Sequence, residues 1–307
     1  MIRTDLAMEA TEAYGQQQIQ GVNVENEVID GIRKTRVTIT TPEGEQALGK
    51  KMGSYVTLET KELAAGDAVF DENCSKALAE EIKMMAGDAL NGTVLVVGLG
   101  NRMVTPDSLG PAVCDMVFVT RHIHEYAPEA VDERMGNVSA ISPGVLGITG
   151  VETGEIIEGV VDRVKPALVI AIDSLASRSI ERIRTTLQLG NSGISPGAGI
   201  GNKRKALDQE SLGIPVLALG VPLVVYASTV AQDLIEEAMS KTPQDARLQG
   251  KMQEMLKGMM DVEGADMIVT PKEIDKVIKD LARIIADALN IALHRDLTLE
   301  ETRRYMH

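Results

Sequence analysis

The chain has 307 residues, 44% of them hydrophobic, and a formal net charge of −14. That length holds one large α/β domain or two smaller ones, and with no Trp, two Phe and 15 Met its core must be built from aliphatic side chains and gap-filling Met. The acidic balance speaks against direct nucleic-acid binding, since phosphates are repelled, and the lack of a long apolar run or a signal-like start excludes a membrane span or secretion and implies a cytoplasmic protein.

Residues 1–30 are polar and mixed, and 35–60 read as strands around a Pro42-Glu43-Gly44 turn. From about 72, Leu78, Ile82, Met85 and Leu90 recur at helical spacing and lead into VLVVGLG at 94–100. A short apolar run between two helical patterns is a buried parallel strand. Residues 108–120 are expected to be helical, 138–142 a short strand, and Ile156 to Val164 another helix. ALVIAID at 167–173 and VLALG at 216–220 are further buried strands, the latter followed by a helix over 228–240. A Met-rich segment covers 245–260, and Thr270-Pro271-Lys272-Glu273 is a capping box opening a helix through Leu289. The pattern predicts an α/β fold with a mostly parallel sheet covered on both faces. It is one domain, with a strand-rich segment at 1–70, a core at 71–240 and a helical segment at 241–307.

In open parallel sheets, ligands bind beyond the carboxyl ends of the strands. Asp173 ends ALVIAID, and Asp107 follows VLVVGLG in TPDSLGP. On neighbouring strands, the two carboxyls open into one crevice. Two carboxylates close together share a proton, which supplies a general base for water and a general acid for the scissile amide. The plainer roles are a helix cap for Asp107 and a polar strand end for Asp173. The Asp-Thr/Ser-Gly signature of two-lobed aspartic proteases is missing, because both aspartates begin Asp-Ser-Leu.

Other motifs lead away from cofactors and metals. Gly98-Leu99-Gly100 lacks the third glycine of a dinucleotide fingerprint, since position 103 is Met103. PGAGIGNKR at 196–204 is not a phosphate loop; its Lys203 and Arg204 are candidates for substrate contact on a positively charged loop. His122 and His124 sit at the far end of the helix that starts near Asp107, roughly 22 Å away at 1.5 Å per residue, and read as surface histidines. Cys74 and Cys114 have no metal or redox spacing. The expectation is no cofactor and no metal.

Several long segments together resemble the germination protease family of spore-forming bacteria: RTDLAMEA, VVGLGNRMVTPDSLGP, AISPGVLGITGVETGE, VIAIDSLASRS, SPGAGIGNKRK and LGVPLVVYAST. The resemblance implies an atypical aspartic endopeptidase with a fold similar to hydrogenase-maturation proteases, its two catalytic aspartates falling on Asp107 and Asp173. It implies small acid-soluble DNA-coating spore proteins as substrates, degraded during germination in the spore core, and a homotetramer. It also implies a zymogen whose pro-segment is removed near RTDLA, which here follows Met1-Ile2. A hydrogenase-maturation-type peptidase would need a histidine beside the acids, and none lies in the strand-end segments. A non-catalytic binder on the same scaffold is the remaining alternative.

Overall fold

The computed structural model describes residues 4–15, 18–63, 67–195, 205–240 and 267–306. Helix α1 (Ala7–Glu12) precedes strands β1 (Val22–Ile29) and β2 (Ile32–Ile39), helix α2 (Pro42–Leu48) and strand β3 (Gly53–Glu59). Helix α3 (Ala68–Ala86) opens the α/β region, which continues with β4 (Thr93–Gly98), α4 (Leu109–Cys114), α5 (Arg121–Tyr126), β5 (Asn137–Ile141) and α6 (Leu146–Thr149). Then come α7 (Thr153–Val164), β6 (Leu168–Ala176), β7 (Thr186–Gly190), α8 (Gln209–Leu212), β8 (Val216–Tyr226) and α9 (Ala227–Ser240). Strand β9 (Ile268–Val269) and helices α10 (Ile274–Leu293) and α11 (Leu299–Met306) follow.

The strands form one mixed sheet in the order β1-β2-β3-β7-β8-β6-β4-β5, with β9 beside β8. Strands β5, β4, β6 and β8 are parallel to their neighbours, while the β1-β2-β3-β7 half is antiparallel and joins β8 antiparallel. Side chains of a strand alternate between faces, and the apolar runs of β4 and β6 feed two cores. Val94, Val96, Leu168, Ile170 and Ile172 pack with α3, α4 and α10. Leu95, Val97, Val169 and Ala171 pack with Ile157 and Val161 of α7 and with Leu207. The α/β class with helices on both faces is therefore realised.

Several expected elements differ. Pro42-Glu43-Gly44 is the first turn of α2, because Thr41 caps it by accepting from the Gly44 N–H at 3.2 Å and Pro suits the first helical position. The hairpin turn lies earlier, at Asp30-Gly31, both with positive φ (51° and 80°), the usual two-residue hairpin geometry. The expected helix over 108–120 ends at Cys114. Beyond it the chain is drawn elsewhere: the Phe118 N–H donates to Asn290 Oδ1 at 2.9 Å, and Thr120 bonds Gly136 and Val138 at the edge of β5. The capping box at 270–273 does not form, since the Thr270 hydroxyl donates to the Leu223 carbonyl at 2.9 Å and α10 starts at Ile274 without a side-chain cap. The Met-rich segment at 245–260 lies outside the described residues.

Candidate active site

The segment that carries Asp107 is packed onto the end of β4 with no space to spare. A Cβ on Gly110 would lie 2.4 Å from the Leu99 carbonyl oxygen and 2.6 Å from that of Ile172, so the start of α4 rests directly on the ends of β4 and β6. Gly100 has φ +106°, a conformation L side chains rarely adopt, and a Cβ there would meet the Asp107 carbonyl oxygen at 2.1 Å. The glycines of Gly98-Leu99-Gly100 thus serve this close approach. Asp107 ends a short 3-10 turn (Thr105–Asp107), and its Oδ2 accepts from the Asn101 N–H at 2.8 Å, closing the loop on itself. The cap position of α4 belongs to Ser108, whose hydroxyl donates to the Thr105 carbonyl.

Asp173 stands in β6 opposite Gly220 of β8, and its Oδ1 accepts from the Ser174 N–H at 2.8 Å. It does not end its strand. Strand β8 runs on to Tyr226 and carries β6 to Ala176, whereas the pairing of β4 with β6 stops at Gly98 and Ile172. Asp173 is thus the first residue of β6 past the end of β4, and it is buried at 7% exposure. The turn holding Asp107 contacts β6. After β4 the chain runs through α4 and α5 to β5 on one side of the pair, whereas after β6 it runs to β7 and then β8 on the other side. Such a divergence is the switch point at which open α/β sheets bind ligands. Asp107 and Asp173 flank it.

Further along β6, a cavity of about 190 Å³ is lined by Leu175, Gly220, Asp5, Lys50, Tyr55 and Gln188 among others. Gln188 in β7 accepts from the Ala7 N–H at 2.7 Å and donates to the Asp5 carbonyl, and Asp5 accepts from the Ala176 N–H at 2.8 Å. Burial pushes the Asp5 carboxyl up, and Lys50 opposes it; burial pushes the Lys50 ammonium down, opposed by Asp5 and Glu9. Sequence patterning did not find this cluster. Its only signal was Asp5 inside RTDLAMEA, because Gln188 interrupts the apolar pattern that would have revealed β7.

The remaining candidates fall elsewhere. His122 and His124 lie on α5, not on the helix after Asp107, and His124 borders a cavity of about 760 Å³ beside Thr93 and Asn137, the opening residues of β4 and β5. Cys74 is buried, with its thiol pushed up to about 12 by burial; burial also raises Cys114. Lys203 and Arg204 lie outside the described residues, and the adjacent Lys205 pairs with Glu158. Among the described residues no group of three or more His, Cys, Asp or Glu is gathered to hold a metal ion, and no helix is long and apolar enough to cross a membrane.

Fold and site together define an α/β protein with one carboxylate on each side of a sheet switch point. The family model described as Germination protease matches residues 3–260 and 247–306. Relatives named germination protease are 46% identical in Caldanaerobacter subterraneus subsp. tengcongensis, covering 100% of this chain and 98% of that one, and 42% identical in Clostridium acetobutylicum, covering 100% and 99%. One in Bacillus mycoides is 39% identical, covering 100% of this chain and 97% of that one. The chain belongs to the germination protease family, and it is an aspartic-type peptidase. Among solved structures, a [NiFe] hydrogenase maturation protease HycI from Thermococcus kodakarensis KOD1 aligns at a TM-score of 0.35 and 15% identity, over 68% of this chain and 98% of that one.

Proposed function

We propose that this protease is an endopeptidase that cuts small acid-soluble DNA-coating proteins in the spore core during germination, with Asp107 and Asp173 sharing the acid–base work. The reading is carried by one observation: two carboxylates stand on either side of the switch point, one in a loop locked onto the end of β4 and one buried in β6 just past that end. One carboxylate takes a proton from water as it attacks the scissile carbonyl. The other gives a proton to the departing amine, and the exchange reverses when products leave. The Gly100 and Gly110 contacts hold the Asp107 loop in place through this cycle. Lys203 and Arg204 contact the substrate chain, and four copies of the chain assemble.

The test is cleavage of a purified small acid-soluble spore protein by Asp107→Asn and Asp173→Asn variants whose circular dichroism matches the parent. Each substitution is expected to lower turnover about 10²–10⁴-fold, with the double variant scarcely worse than either single one, because groups acting as a unit are non-additive. EDTA should leave the rate unchanged. A folded Asp173→Asn protein that cuts at the parental rate removes Asp173 from the mechanism.

A further inference from the structure

Two loops beside the candidate site hold large apolar side chains out in solvent. Met103 is 83% exposed and Val104 48% in the loop after β4; Leu146, Ile148 and Val151 are 40%, 60% and 42% exposed in the segment after β5. These loops leave neighbouring strands at one level, since Val97 pairs with Ile141 at the carboxyl ends of β4 and β5. Both are braced from within. Asn101 Oδ1 accepts from the Met103 N–H at 2.9 Å, and the Asp107 carboxylate accepts from the Asn101 N–H. In the second loop the Gly150 N–H donates to the Leu146 carbonyl at 2.8 Å, and the Thr149 hydroxyl donates to the Val151 carbonyl at 2.9 Å. Large apolar side chains held outward on two braced loops that leave adjacent strand ends offer an interaction surface.

We propose that Met103, Val104, Leu146, Ile148 and Val151 form an apolar shoulder on the β5 side of the crevice that grips apolar side chains of the polypeptide being cut. This rests on the reading of Asp107 and Asp173 as the reacting pair. The occupant is the substrate and not a second copy, because the loop presenting Met103 and Val104 is the one closed by the Asp107 carboxylate, and a copy seated there would cover the acid. A lipid surface fits poorly with a chain of net charge −14. The shoulder acts on binding; proton transfer stays with the aspartates.

The test uses Met103→Ser and Ile148→Ser, alone and together, with two peptides cut from a small acid-soluble spore protein. One keeps the apolar residues flanking the bond, and the other has them replaced by Ser. With the first peptide, KM is expected to rise roughly tenfold in the double variant, the scale of a lost apolar contact, while kcat stays within about twofold. With the second, parent and variant should give the same KM. An unchanged KM on the first peptide, or equal losses on both, overturns the shoulder. So does a drop in the oligomeric mass of the double variant by light scattering, which would make the patch a contact between copies. Failure of the acid pair shows separately, as full turnover by Asp173→Asn with the KM effect of Met103→Ser intact.

Discussion

His294 closes α10 with none of its surface in solvent; its Nε2 meets the Phe118 carbonyl at 3.0 Å, and its ring lies 4.9 Å from that of Phe118. Burial pushes its imidazole down to about 4, with His124 adding to the shift and the Phe118 carbonyl opposing it. The native state therefore stays unprotonated here between pH 6.5 and 4, while the unfolded chain takes up a proton. Stability is present above about 6.5, is lost as pH falls toward 4, and changes no further below that. A displacement of this size corresponds to about 3 kcal/mol. Urea unfolding of the parent at pH 7, 5.5 and 4 should lose that much relative to His294→Asn, whatever the starting stability of the variant; parallel curves would rule the contribution out. At this scale the sequence was uneven. Asp107 and Asp173 were legible because each follows an apolar strand run, whereas the burial of His294 depends on Phe118, 176 positions away.

Elements were legible where one side-chain period dominates. Strands β4, β6 and β8 and helices α7 and α10 are apolar at spacings set by burial on both faces or on one. Strand β1 was missed because nearly all its residues are exposed, so no alternation marks it. Strand β7 escapes the pattern because polar Thr186 and Gln188 occupy buried positions, Gln188 bonding Asp5 and Ala7. The helix after Asp107 was drawn too long because Thr120 and Asn290 override local preference. The junction of β4, α4 and β6 is also where an element-level prediction belongs. Gly110→Ala places a methyl against two carbonyl oxygens and pushes α4 away from the strand ends, at an overpacking cost of about 1–3 kcal/mol. Activity should fall further than stability accounts for, since the displaced turn carries Asp107. Gly159→Ala, with nothing within 4 Å of the added carbon, should instead raise stability by about 0.4–1 kcal/mol. Equal thermal midpoints and equal turnover for the two variants would show that the close approach positions nothing.

Across the whole molecule, one side chain joins segments far apart in sequence. Arg182, between β6 and β7, reaches Glu9 at 3.0 Å, Glu12 at 2.7 Å and Glu59 at 3.1 Å, tying α1 and β3 to the chain that leaves the candidate site. Glu9 is almost wholly buried, and its Oε2 also accepts from the Arg178 N–H at 2.9 Å. Removing the cation leaves a buried carboxylate without its partner charge, a loss of about 3–5 kcal/mol, whereas removing charge from both sides leaves much less to compensate. Arg182→Ala should therefore lower the urea midpoint strongly, and adding Glu9→Gln should restore most of it, since an amide oxygen still accepts from Arg178. Because α1 and Asp5 share the N-terminal segment that lines the cavity beyond Asp173, limited proteolysis of Arg182→Ala should cut first near residues 4–15. Arg304→Ala, which breaks an exposed pair with Glu300, should shift neither readout. If Arg182→Ala and the double variant unfold at the same urea concentration, Glu9 is not held by Arg182.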